Sequence, residues 1–150
     1  MRYPVHEHAK KIAILNDRFR QTFRGGKIIL GDKVRTLSYL EKSHLVQAIK
    51  MFSDFNSEND PYREHDFGCV LLNTQRYYFR ICCYDLQLQG RSANPHIVGQ
   101  TRRILIITRL DEIQTTSIHD WIYLNKSNRY CFKKSIKMLP FVPDGFGSKN

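Results

Sequence analysis

The sequence predicts an α+β domain in which two helices pack on a small, mainly antiparallel sheet, followed by a basic C-terminal extension. Three observations predict it. Two stretches with apolar residues at helical spacing come first, two strand-like stretches joined by a polar turn follow, and a later stretch is apolar almost throughout. A chain of 150 residues can bury a core without disulfides or metals. We predict the domain over residues 1–111 and the extension over residues 112–150.

Two helices are predicted in the first third of the chain. In the first, apolar residues recur at spacings of three and four and share one face: Ala9, Ile12, Leu15, Phe19 and Phe23. The pair Gly25-Gly26 ends this helix, and residues 27–30 then predict a short strand. Ser38 with Glu41 three residues later is a capping-box pattern, which predicts a second helix over residues 39–53.

The middle of the chain predicts a hairpin. Residues 67–72 are largely apolar, residues 73–75 suit a turn, and residues 76–84 are rich in strand-forming aromatics. Alternation places Tyr77, Phe79, Ile81 and Cys83 on one face of the second strand, and Tyr78, Arg80, Cys82 and Tyr84 on the other. We expect the second, mixed face to suit a ligand. Residues 86–100 predict a loop, and residues 101–109 predict a buried strand flanked by arginines.

Composition limits the partner and the compartment. The chain carries 24 lysines and arginines against 14 acidic residues, a formal net charge of +10, with +3 through Gln75 and +7 from Arg76 onward. Such a charge attracts nucleic acid, acidic proteins and anionic surfaces without choosing among them. The four cysteines lack the spacing of a disulfide framework, and no apolar run is long enough to span a membrane. We predict a soluble cytoplasmic protein, with export as an effector as the alternative.

Residues 59–68 carry the densest motif, Asn-Asp-Pro-Tyr-Arg-Glu-His-Asp-Phe-Gly, directly before the predicted hairpin. Together with residues 79–85 and 101–107, this motif resembles a bacterial family known only as a domain of unknown function. The resemblance implies a small soluble protein, often encoded on plasmids and mobile elements, with no agreed activity. Cys82 and Cys83 depart from it, since that strand usually carries an Asp and a Tyr there. Residues 94–97 also replace an acidic Asp-Pro run.

The motif allows two interpretations. In the first, Glu64, His65, Asp66 and Asp85 meet as catalytic groups, and a divalent cation is held by metal ligands from the same region: Asp60, Glu64, His65 and Asp66. In the second, the segment is a structural turn built on Asn59, Asp60, Pro61, Tyr62 and Gly68. The second is favoured because turn-forming residues already account for half of the motif.

Basic residues interleaved with aromatics mark a candidate binding surface in the second half. They flank the last predicted strand and crowd the extension: Arg102, Arg103, Arg109, Lys126, Arg129, Lys133, Lys134 and Lys137. Such side chains suit a nucleic-acid backbone with stacked bases, although a solvated basic surface with aromatics facing the core has the same pattern.

These observations favour a binding protein over an enzyme. We predict a small basic accessory protein of a bacterial mobile element that binds nucleic acid or the acidic surface of a nucleic-acid-handling complex. One alternative is a metal-assisted hydrolase or nuclease at Glu64, His65 and Asp66, for which a divalent cation would be the cofactor. Another is an anti-defence or effector protein that inhibits a partner protein by surface contact. No other cofactor is implied, and the oligomeric state is left open.

Overall fold

A computed structural model describes residues 5–112, which form an α+β domain as predicted. The predicted extension lies outside the described residues, apart from Glu112. Helices and strands follow in this order along the chain: α1 (Ala9–Thr22), β1 (Gly26–Leu30), α2 (Asp32–Arg35), α3 (Tyr39–Lys50), β2 (Phe67–Leu72), β3 (Gln75–Tyr84) and β4 (Arg102–Arg109). Short 3₁₀ turns occupy Val98–Gln100 and Leu110–Glu112.

The four strands form one mixed sheet in the order β1-β4-β3-β2. The predicted hairpin of β2 and β3 is confirmed, and β4 pairs antiparallel with β3. At the hairpin turn Asn73 and Thr74 have φ values of 49° and 66°, the left-handed conformation that two-residue hairpin loops favour. The parallel pair joins β1 to β4, from Gly26 opposite Arg103 to Leu30 opposite Ile107. Because α2, α3 and the hairpin lie between them in sequence, β1 and β4 can run in the same direction.

All three helices contribute to a core on one face of the sheet. Phe19 of α1, Val34 of α2 and Leu45 of α3 are fully or almost fully buried there. From the sheet, β3 contributes the predicted alternating set that contains Phe79 and Ile81. The capping box of α3 is also confirmed, since Ser38 Oγ accepts the Glu41 amide at 3.1 Å and the Glu41 carboxylate accepts the Ser38 amide at 3.1 Å.

The opposite face of the sheet carries a second hydrophobic cluster, built from strand residues alone in the part of the chain that the structure describes. All four strands contribute to its buried members: Ile29, Phe67, Tyr78, Tyr84, Ile104 and Ile106. Cys69 and Cys82 pack against it. This face is the mixed face predicted for β3, and Arg80 within it is buried as well.

Two predicted features of the helices need correction. The buried face of α1 includes Asn16 and Arg20 and leaves Leu15 only half-buried, because both polar side chains bind groups in the interior. Helix α3 ends at Lys50, not at Ser53. Directly beyond it, Phe52 turns inward and packs edge-on against the ring of Phe79, with 5.2 Å between the ring centroids.

Candidate functional site

The motif of residues 59–68 folds as a hydrogen-bonded turn centred on Asp60. The side chain of Asp60 is buried, and its Oδ1 accepts the amides of Glu64 at 3.0 Å and His65 at 3.1 Å. Just before it, Asn59 Nδ2 donates to the Asp54 carbonyl at 2.8 Å, and Asn59 Oδ1 accepts the Asn56 amide at 2.9 Å. These bonds satisfy backbone groups that the irregular chain would otherwise leave without partners.

His65 joins this turn to helix α1. Its Nδ1 lies 3.0 Å from both carboxylate oxygens of Asp17, and its Nε2 lies 3.7 Å from Oδ2 of Asp60. The imidazole stacks on Phe55 with 4.1 Å between centroids and an interplanar angle of 2°. The backbone of His65 has a φ of 54°, a conformation that a residue with a side chain adopts only when its surroundings hold it there. His65 is therefore fixed on three sides.

Helix α1 supplies two further polar anchors. Asn16 Nδ2 donates to the carbonyl of Glu64 at 2.8 Å, and Asn16 Oδ1 accepts Nε of Arg103 at 2.8 Å. Arg20 donates to the carbonyls of Ile49 and Phe52, both at 3.1 Å, and its Nη1 lies 2.8 Å from Asp17. The inward side of α1 thus binds the motif, strand β4 and the end of α3 through buried polar groups.

The carboxylates that flank His65 in sequence lie in a different environment. Glu64 and Asp66 are each about 5% exposed. Their charges, with those of Arg80 and Arg91, lie close enough to Tyr62 to affect its pKa. Burial raises the pKa of the Tyr62 phenol, and the two carboxylates raise it further against the two guanidinium groups. Because these acids are buried, they are not presented to a ligand in solvent.

Asp85 does not join the motif through its side chain. Its Oδ1 accepts the amides of Gln87 and Gln89 at 3.1 and 3.0 Å, and its Oδ2 accepts the Gly90 amide at 3.1 Å. It therefore closes the first turn of the loop between β3 and β4. Among residues 5–112 no group of three or more His, Cys, Asp or Glu side chains is arranged to hold a metal ion, so the predicted ligands Asp60, Glu64, His65 and Asp66 do not form one.

The cysteines of the second sheet face are unsuited to nucleophilic chemistry. Burial raises the pKa of the Cys82 thiol to about 12, although the Arg80 guanidinium acts in the opposite direction. Burial also raises the pKa of Cys69. At neutral pH both thiols stay protonated, whereas attack requires the thiolate.

The arginines predicted to bind a partner are placed differently from one another. Arg102 is exposed and donates through Nε to the Leu86 carbonyl at 2.7 Å. Arg103 is buried and bound to Asn16 and to the Pro95 carbonyl. Arg109 is half-buried and paired with Asp111. The other predicted residues lie outside the described range: Lys126, Arg129, Lys133, Lys134 and Lys137.

A cationic surface lies on the outer side of α1, away from the motif. Lys10, Lys11 and Arg18 are exposed and fall within one arc of about 100° on the helix, with the half-exposed Ile14 between them. We call Lys10, Lys11 and Arg18 the basic stripe. Exposed Arg24 and Lys27 continue the positive charge beyond the end of the helix. Lys10 and Arg18 are eight residues apart in the sequence, which places them on the same side of a helix. A net charge summed over each half of the chain does not reveal this arrangement.

Within the segment from His8 to Gly31, Asp17 is the one acidic residue of the sequence. Its carboxylate binds Arg20 and His65, both on the inward side. Among residues 5–112 no ion pair involves Lys10, Lys11 or Arg18, although exposed Glu7 lies one turn before the two lysines. Among residues 5–112 we also find no helix with the length and apolarity needed to cross a membrane.

Comparison with known proteins identifies a family but no activity. Residues 30–112 match the profile of a family described as a protein of unknown function (DUF3768). The matched range covers the end of β1, α2, α3 and strands β2 to β4, including the motif, whereas α1 precedes it. No curated protein and no solved structure matches the chain. Because the match spans more than half of the sequence and confirms the resemblance predicted above, the chain belongs to the DUF3768 family of proteins of unknown function.

Proposed function

We propose that this protein binds nucleic acid through the basic stripe of α1. The observation that carries the proposal is the division of charge on one helix: Lys10, Lys11 and Arg18 face solvent, while Asp17 and Arg20 are used inside the domain. Exposed cations that form no ion pair within residues 5–112 attract phosphates at long range. The stripe is thus a better candidate surface than the carboxylate-rich motif.

The position of the lysines on α1 supports this interpretation. The first turn of α1 contains Lys10 and Lys11 and no acidic residue. The positive end of the helix dipole lies there, so each cation destabilises the helix by roughly 0.3–1 kcal/mol. The helix dipole therefore gives no reason for two lysines at these positions, whereas a phosphate ligand would be attracted by both the lysines and the positive end of the helix.

The dimensions of the stripe suit a phosphate backbone. From position 10 to position 18 the helix rises by about 12 Å, which is the axial distance covered by roughly three phosphates of one DNA strand. Three neutralised phosphates predict that log K falls with log salt concentration with a slope of about −2.7. Such contacts to phosphates give affinity and orientation and carry no base sequence preference.

The test compares the salt dependence of binding in three proteins. Fluorescence anisotropy with a labelled 20-base-pair duplex of random sequence is measured for the full chain, for Lys10→Gln/Lys11→Gln/Arg18→Gln and for the control Lys33→Gln/Arg35→Gln/Lys42→Gln. Both variants lose three charges, but Lys33 and Arg35 are already paired with Asp111 and Asp32. We expect the stripe variant alone to bind more weakly and to lose about 2.7 from the slope.

Two results would overturn the proposal. One is binding by the full chain that does not change with salt, and the other is an equal loss of slope in both variants. The biological setting remains a separate proposal. An accessory role for a bacterial mobile element, a cytoplasmic location and the contribution of the extension's lysines rest on the sequence and on the resemblance alone. So do the two alternatives, a metal-assisted hydrolase and an inhibitor of a partner protein.

A further inference from the structure

The outward side of α3 exposes large apolar side chains, unlike the charged outward side of α1. Leu40 and Met51 are 63% and 70% exposed, and Tyr39 beside Leu40 is 87% exposed. His44 and Gln47, which lie between the two ends, are exposed as well. Because apolar side chains are stabilised by removal from water, a helix side of this kind is typical of a surface that another protein covers.

The spacing of these residues is that of a coiled-coil seam. Four of them follow one another at intervals of four, three and four residues: Leu40, His44, Gln47 and Met51. These intervals are those of the d and a positions in successive heptads. At 3.6 residues per turn the four fall within an arc of about 60°, on the side of the helix away from the buried Leu45 and Ile49. Packing of α3 on the sheet therefore does not account for the spacing.

The seam matches a second copy of itself in the antiparallel direction. The order four, three, four reads the same from either end, so a twofold axis beside the middle of the helix sets Leu40 level with Met51 of the second copy. The same rotation sets His44 level with Gln47 of the second copy, an imidazole opposite a side-chain amide. Apolar side chains thus meet at both ends, and polar side chains meet in the middle, where they fix the register.

Charge favours this side of the domain for a contact between copies. Each chain carries a formal net charge of +10, so two copies repel each other at long range. The seam contains no lysine, arginine or carboxylate, in contrast to the basic stripe of α1. Two charged residues that flank the seam are engaged within the domain, Glu41 in the capping box and Lys50 over the ring of Phe23 at 4.8 Å. A second copy therefore meets no like charge along the seam.

We propose that two copies of this chain pair through the outward sides of their α3 helices, antiparallel and about a twofold axis. The seam is about 16 Å long, and a contact of one helix pair is smaller than a standard interface of about 1,600 Å², so the dimer is weak. The pairing does not depend on the proposed nucleic-acid binding, which uses the stripe of α1. Salt separates the two, because screening strengthens the association of like-charged copies and weakens the binding of phosphates.

Paired charge substitutions at the two ends of the seam test both the contact and its direction. Leu40→Glu with Met51→Glu, the like-charge variant, brings carboxylates together in either direction of pairing. Leu40→Glu with Met51→Lys, the opposite-charge variant, brings opposite charges together in an antiparallel pair and like charges together in a parallel pair. Both positions are exposed, so neither variant removes core packing. The control Val98→Glu changes a 66% exposed apolar residue outside α3.

Sedimentation equilibrium of the full chain over about 5–500 µM measures the dissociation constant of the dimer. We expect the unsubstituted chain and Val98→Glu to share one dissociation constant, which falls by about threefold between about 0.15 M and about 0.5 M salt. The like-charge variant should associate more weakly by about tenfold or more, because carboxylates then face each other across the contact. The opposite-charge variant should keep the dissociation constant within about threefold.

Three results would overturn the proposal. The first is a full chain that stays monomeric at every concentration, and the second is association that the like-charge variant leaves unchanged, since the contact would then lie elsewhere on the chain. The third is equal weakening in both paired variants, which excludes the antiparallel arrangement. Thermal melting followed by circular dichroism checks the fold of each variant. If a charged variant melts early, Leu40→Gln with Met51→Gln takes its place, and an unchanged dissociation constant in that variant also overturns the proposal.

Discussion

The motif of residues 59–68 and the outer side of α1 use charge in opposite ways. The motif contains three of the chain's 14 acidic residues and one histidine, and the structure turns those side chains toward the interior or toward α1. The outer side of α1 has an ordinary composition, and its Lys10, Lys11 and Arg18 face solvent. A segment dense in polar residues can therefore serve to hold the fold together, while a few widely spaced lysines and arginines form the exposed charged surface.

One helix carries both arrangements, which makes the contrast testable. Asn16, Asp17 and Arg20 bind the motif and its surroundings, whereas Lys10 and Arg18 lie on the other side of the same helix. Substitutions on the inward side should lower the free energy of unfolding and leave the binding of each folded molecule unchanged. Substitutions on the outward side should weaken the binding of nucleic acid and leave the free energy of unfolding nearly unchanged.

The largest effect is expected for Arg20→Ala. This arginine is 1% exposed, binds Asp17 and two carbonyls, and lies 5.1 Å from the ring centroid of Phe55. Its removal takes the guanidinium away from the Asp17 carboxylate and leaves two carbonyls without this donor, so we expect a loss of about 3–5 kcal/mol in the free energy of unfolding. Urea denaturation followed by circular dichroism measures it.

The matched control is Arg18→Ala, two positions away on the exposed side. It should lower the free energy of unfolding by no more than about 0.5 kcal/mol, the usual range for a surface substitution. Equal losses for the two arginines would show that the inward and outward sides of α1 are not distinct in the way the structure indicates.

A smaller effect is expected for Asp60→Ala in the motif. Asp60 Oδ1 accepts two amides, and its side chain is buried. The loss of this acceptor should lower the free energy of unfolding by about 2 kcal/mol, since one buried and one partly buried amide lose their partner. Asp54→Ala is the control, because Asp54 is exposed and Asn56 and Asn59 donate to its backbone carbonyl, which the substitution keeps. If Asp60→Ala keeps full stability but abolishes a divalent-cation-dependent activity, the motif is a site and not a turn.

Much of the fold was predictable from local pattern. Apolar spacing in α1, the capping box of α3, the hairpin turn and the alternation along β3 are each encoded within a few neighbouring residues. The parallel pairing of β1 with β4 was not predictable, because it joins residues about 77 positions apart in the sequence and no local signal reports it. The burial of Arg20 was not predictable for the same reason. Its partner Ile49 lies in α3 and its partner Phe52 lies just after α3, both far from Arg20 in the sequence.

The site followed the same rule. That Asn59 and Asp60 form a turn could be predicted, because their side chains bond to backbone within six residues. That His65 binds Asp17, 48 positions earlier, could not. Neither could the packing of His8 on His96, whose ring centroids lie 3.8 Å apart although His8 precedes α1 and His96 lies in the loop between β3 and β4.

These histidines give the smallest predicted effect and extend the contrast between fixed and exposed charge. His65 lies between two carboxylates, whereas His96 stacks on His8 and has the ring of His6 at 5.8 Å. The pKa of His96 is held below its ordinary value, first by partial burial and then by the charges of His8, His6 and Lys11, against a weaker opposite effect of Glu7.

The direction of the pH dependence follows from that lowered pKa. The unfolded chain takes up the proton on residue 96 more readily than the folded domain, so the contribution of neutral His96 is complete above the ordinary pKa of 6.5 and is lost as the pH falls below it. We expect the urea midpoint to fall between pH 7.5 and pH 5.5 and to fall less in His96→Asn. The control His44→Asn, which changes an exposed histidine of α3, should leave the decrease unchanged. An identical decrease in His96→Asn and in the unsubstituted chain would show that the stacked histidines do not couple protonation to folding. The N-terminal end of α1 would then be held by packing alone.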